Sequence, residues 1–71
     1  MKTLSKRELD VVRLLTEGKT NRVISQELYI SVHTVKAILE KVYEKLSVHS
    51  RVQVAVIYAK QKIFDEMNEI Y

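Results

Sequence analysis

Four hydroxyl residues, Ser5, Thr20, Ser31 and Ser50, each stand directly before a stretch whose apolar residues recur three and four positions apart. A hydroxyl placed there accepts one of the backbone N–H groups that a first helical turn leaves without a partner, so each marks a helix start. Two of the signals are doubled. Ser5-Lys6-Arg7-Glu8 and Ser50-Arg51-Val52-Gln53 have the spacing of a capping box, in which the fourth residue reaches back to the cap. The chain has no proline and a single glycine, Gly18, which ends the first helix because glycine enters the left-handed region without steric cost. Four starts and one glycine stop in 71 residues predict an all-α fold of four helices.

The spacing of the starts says how those helices connect. Leu4 and Leu9 flank the first cap as a hydrophobic staple, and Leu4, Val11, Val12 and Leu15 make one apolar face. Thr20 opens a short helix from Asn21 to Leu28, with Ile24 and Leu28 facing inward. About three residues later Ser31 opens a longer helix, Val32 to Leu46, whose Val35, Leu39, Val42 and Leu46 form the core stripe. A short helix, a tight turn and a longer helix make a helix-turn-helix. Lys36, Ala37, Glu40, Lys41 and Glu44 fall on the other faces of the third helix. On an isolated helix they would read as a solvated surface with pairs such as Lys36–Glu40; after a tight turn in a basic domain they read as a binding face.

The fourth helix follows the connector Ser47-Val48-His49 and is apolar on more than one side. Val52, Val56, Ala59 and Ile63 recur at spacings of four, three and four, a coiled-coil-like seam that Met67 and Ile70 prolong. A small body covers only one face of its last helix, so this seam is expected to join two copies. The competing reading packs it on the first helix.

Charge is uneven along the chain. Residues 1–64 hold all twelve Lys and Arg against six Asp and Glu, while Asp65, Glu66 and Glu69 make residues 65–71 an acidic tail, here taken to extend the last helix. A basic body suggests a polyanionic partner. Other classes lack their residues. There is no cysteine, the two histidines stand sixteen positions apart, and no glycine-rich loop is present, so neither an enzyme, a metal site nor a cofactor is expected. No continuous apolar run of about 18 residues suggests a membrane partner. The cysteine-free composition fits the reducing cytoplasm. Residues 1–71 are read as a single domain, and Met1 with the acidic tail favours a complete small protein over an excised output domain.

Taken together, Leu4-Ser5-Lys6-Arg7-Glu8, Gly18-Lys19-Thr20-Asn21, Ile24, Leu28, Ile30-Ser31, Thr34-Val35-Lys36, Lys45-Leu46, Val48 and Ser50-Arg51 resemble the LuxR/GerE-type helix-turn-helix domains, which also form the output half of NarL/FixJ response regulators. The resemblance implies a third helix lying in the major groove, a fourth mediating dimerisation, and two half-sites on double-stranded DNA. Departures are Val23 where the family often has a carboxylate, Ser25 in place of alanine, Ile38 where histidine is frequent, and Glu40 where a polar or basic residue is usual.

Phosphate contacts fix register and base-edge contacts give specificity. Lys36, matching the family's contact lysine, is assigned to a phosphate or a guanine edge. Ser31 and Thr34, at a helix amino end, are assigned to phosphate, and Lys19, Thr20, Asn21 and Arg22 to the backbone of the same groove. His33, Ala37, Glu40 and Lys41 complete the candidate contact set. Ala37 offers a methyl to thymine, and Glu40 either repels phosphate or accepts from a cytosine amino group. His49 is read as a connector residue. Arg51 sits where a helix amino end disfavours a cation, so a carboxylate such as Glu8, or a DNA phosphate, is expected to hold it. The scattered Tyr29, Tyr43, Tyr58 and Tyr71 are expected in core or rim packing. A regulator of transcription with these contacts would further meet RNA polymerase or another regulator. The rival reading keeps the fold and loses the DNA, leaving a protein-interaction module of anti-activator type.

Overall fold

The computed structural model describes residues 3–70, with side chains from 3 to 68. Its four helices are α1 (Lys6–Thr16), α2 (Asn21–Leu28), α3 (Val32–Leu46) and α4 (Arg51–Ile70). The expected acidic residue Glu69, the seam residue Ile70 and Tyr71 have side chains outside the described residues.

Each helix begins at its expected cap. The Ser5 hydroxyl accepts from the Glu8 amide at 3.2 Å, and the Glu8 carboxylate accepts from the Ser5 amide at 2.7 Å, which completes the capping box. Thr20 accepts from Val23 at 3.2 Å and Ser31 from Thr34 at 3.0 Å. The second box is shifted by one residue. Ser50 accepts from the Gln53 amide at 3.3 Å, but the Gln53 carbonyl oxygen reaches past the cap to the His49 amide at 2.8 Å. Each cap is worth about 1 kcal/mol.

Three helices share one type of ending. After α1, Gly18 takes a φ of 84°, its amide donates to Leu15, and the Lys19 amide donates to Leu14. That paired closure is the Schellman motif. Tyr29 (φ 57°) closes α2 and Ser47 (φ 55°) closes α3, with the following Ile30 and Val48 amides donating to Ser25 and Tyr43. Ile30 and Val48 pack their side chains against the core, the apolar contact that accompanies this motif.

α1 lies at the centre, packed against the other three helices, and α2 packs against α3. Val11, Val12, Ile24, Val35, Val42 and Val54 are fully buried between them. Leu28 and Leu46, expected inside, are half-buried, and Leu14 joins the core although it lies beside the expected stripe. α4 meets α1 with Val54, Ala55 and Tyr58, not with the seam. Val52, Val56, Ala59 and Ile63 face solvent. The reading that packs the seam on the first helix is thereby overturned, since the side of α4 carrying Val54 and Tyr58 already fills that position. Tyr43 and Tyr58 pack at the core rim as expected; Tyr29 does not, being 95% exposed. Its place at the left-handed helix end turns the ring away from the core.

Candidate nucleic-acid interface

The surface around the helix-turn-helix is built by local chemistry at two helix amino ends. At α3, the Ser31 hydroxyl caps the helix and lies 2.9 Å from the Thr34 hydroxyl. At α2, Thr20 holds the same position. Both ends carry the partial positive charge of aligned peptide dipoles.

The eleven candidate residues lie on the solvent side. Thr20, Arg22, Ser31, His33, Thr34, Lys36, Ala37, Glu40 and Lys41 are exposed, and Lys19 and Asn21 are half-buried. His33, Ala37 and Glu40 line the flank of α3 opposite Val35, Leu39 and Val42, with Lys36 and Lys41 on either side, as a helical period requires. Asn21, Lys36 and Glu40 meet at one shallow groove, whose other walls are Leu39, Tyr43 and Arg51. Lys36 and Glu40 share that groove without forming the ion pair considered from their spacing. Among the described residues the ion pairs are Arg13–Glu17 at 3.3 Å and Lys45–Glu8 at 2.8 Å.

Arg51 is not held by the expected carboxylate. Its guanidinium donates to the Asn21 side-chain oxygen at 2.5 Å and to the Lys19 carbonyl at 3.0 Å. Glu8 is out of the question as its partner because that carboxylate faces the last turn of α3, where Lys45 takes it. Arg51 thus ties the first turn of α4 to the first turn of α2 through neutral oxygens. Two consequences follow for the candidate site: Asn21 has its oxygen occupied, and a half-buried cation joins the groove. The cation at a helix start was the signal in the sequence; its partners were not visible there.

Glu8 anchors the opposite side of the same body. The Lys45 ammonium, then the Ser5 amide, hold its carboxyl below the ordinary range despite burial, which acts in the other direction. Ser25, where an alanine was expected, is buried with its hydroxyl donating to the Arg22 carbonyl at 2.6 Å. The substitution is accommodated by the backbone. Ile38 packs half-buried against the core. Among the described residues no cluster of His, Asp or Glu fits a metal ion, and no helix is long and apolar enough to cross a membrane.

Two capped helix starts joined by a three-residue turn, with polar and basic groups on the outer face of the second helix, define a helix-turn-helix protein. The chain belongs to the bacterial regulatory proteins of the luxR family, which match residues 2–58. That family is one of DNA-binding regulatory domains and not an enzyme class. The chain is 46% identical over 54 residues to the transcriptional regulatory protein LiaR of Bacillus subtilis, covering 76% of this chain and 26% of that protein. It is 42% identical over 53 residues to the transcriptional regulatory protein DegU of Brevibacillus brevis (75% and 22%). To the oxygen regulatory protein NreC of Staphylococcus carnosus it is 36% identical over 62 residues (87% and 29%). The chain therefore spans about a quarter of the length of these relatives.

Proposed function

We propose that this chain is a sequence-specific DNA-binding regulator of transcription that lays α3 in the major groove and binds two half-sites as a homodimer. The observation that carries this reading is the meeting of the α2 start, at Asn21, with Lys36 and Arg51 around one groove, where neither cation is ion-paired although Glu40 shares the lining. Lys19, Thr20 and Arg22 at α2, with Ser31 and Thr34 at α3, meet phosphates; His33, Lys36, Ala37, Glu40 and Lys41 face the base edges or the groove wall. Asn21 reaches DNA with its amide nitrogen while its oxygen stays on Arg51. Val52, Val56, Ala59 and Ile63 form the surface between the copies. The cytoplasm is the compartment and RNA polymerase or another regulator the further partner that such a role requires.

Glu40 supports a second reading. An exposed carboxylate beside Lys36 weakens the field a phosphate would feel, and with the apolar face of α4 it would suit a protein-interaction module. Selection of bound duplexes from a random DNA pool separates the two. The DNA reading expects a pseudo-palindrome with half-sites about 10 base pairs apart, or a related interval. No enrichment at modest salt would transfer the weight to the protein-interaction module.

A further inference from the structure

Four apolar positions on the outward face of α4 are placed symmetrically about a midpoint flanked by Ala59 and the exposed Lys60. Val52 and Met67 lie equally far from the midpoint between Ala59 and Lys60, and so do Val56 and Ile63. All four are exposed, with relative exposures from 46% to 72%. Ala59, the smallest side chain of the row, sits at the centre. A row with that symmetry is complementary to itself under a two-fold axis, the commonest symmetry of soluble dimers.

Resting on the homodimer proposed above, we infer its register: two copies pair with α4 antiparallel and the two-fold axis beside Ala59. Val52 of one copy then meets Met67 of the second, Val56 meets Ile63, and the two Ala59 methyls let the helices approach at the crossing. Phe64 supplies an independent check. It lies seven residues after Ile57 and eleven after Gln53, on one flank of the helix. A two-fold axis in the interface plane brings like flanks together, so Phe64 comes opposite residue 55 of the second copy. On that flank Val48, Val52, Gln53, Val56 and Ile57 enclose a shallow, mainly apolar hollow. The 59%-exposed Phe64 ring fits there as a plug.

Size is consistent with a real interface. Val52, Val56, Ile63, Phe64 and Met67 leave roughly 100 Å² each to water, so pairing would bury about 1,000 Å² in total, near the lower bound for a specific contact. The luxR-family match ends at residue 58, so Ile63, Phe64 and Met67 lie beyond the matched residues.

Single cysteines test the register directly, because the chain contains none. Ala59→Cys, Met67→Cys and the double variant Val52→Cys/Met67→Cys would be oxidised without DNA, all at exposed positions that leave the core intact. Ala59→Cys and the double variant are expected to form covalent dimers at least ten times faster than Met67→Cys, whose copies stand about 22 Å apart in this register. Efficient cross-linking of Met67→Cys alone would show parallel helices and overturn the inference. So would sedimentation of the unmodified chain as a monomer together with no cross-linking at position 59. Phe64→Ala should weaken pairing about tenfold; an unchanged dimer constant removes the plug. DNA selection is read separately, so retained operator enrichment without these cross-links would sink the register alone, while cross-links without enrichment would sink the DNA reading alone.

Discussion

α3 and α4 each turn one full face to water, and the two faces are chemically opposite. The outer side of α3 carries His33, Lys36, Glu40 and Lys41, groups that water solvates well. The outer side of α4 carries Val52, Val56, Ile63 and Met67, which water does not. A small domain has too little polar surface to cover itself, so one exposed apolar residue means little. A continuous row of them does, because contiguous patches of several hundred Å² on small proteins mark contacts. Equal exposure therefore conceals two chemistries: on the proposed reading, one face gains from an ionic partner and the other from an apolar one.

The largest separation between the faces should come from Val56→Asp. A carboxylate in the middle of the α4 row should give monomers by sedimentation and, by losing the second half-site, weaken DNA binding about 100-fold or more. A variant that stays dimeric would show that α4 does not join the copies. Next in size is Glu8→Gln, which acts on the body that carries both faces. It removes the charge that Lys45 and the α1 cap share, and should cost about 2 kcal/mol in denaturant unfolding, with assembly of the folded fraction unchanged. Because folding holds the Glu8 carboxyl below its ordinary value, its contribution is complete above about pH 4.3 and disappears as pH falls through the lowered value. Acid titration of the wild type and Glu8→Gln should therefore converge at low pH.

Lys36→Ala is the complementary probe of the α3 face. It should weaken DNA binding about tenfold and flatten the salt dependence by about one unit, with the dimer constant untouched. Unchanged binding and slope would remove Lys36 from the interface. The smallest effect belongs to Tyr29→Gly. Relief of the left-handed strain of a non-glycine residue, partly offset by the freer unfolded chain, should stabilise the fold by about 0.5 kcal/mol. Loss of stability instead would show that the exposed ring makes a contact of its own.

What could be read in advance follows the range of the interactions. Caps act within three residues, so Ser5, Thr20 and Ser31 located three helix starts and the turn between α2 and α3. The glycine stop at Gly18 was equally local. Tyr29 and Ser47 take the same left-handed conformation without a glycine, held by the amides of Ile30 and Val48 and by the burial of those side chains. No pattern in the sequence distinguishes them. The same limit applies to charge. The misfit of Arg51 at a helix start was legible, but its partners lie 30 and 32 residues away, and a lysine from the end of α3 had already taken Glu8. Positions of helices were therefore clearer than the bonds between them, and the candidate contact set follows from the positions.

The bond from Arg51 to the Lys19 carbonyl has a metrical consequence. It stands one residue before Val52, where the α4 row begins, and one before Thr20, where the α2 start begins. On the reading proposed here, one end of this strut touches the surface between copies and the other touches the phosphate-facing turn. If the proposed dimer forms, these two hydrogen bonds to a half-buried guanidinium would help to set the gap between its two reading heads. Such a protein would measure DNA as a caliper does, rejecting operators with the right bases at the wrong separation.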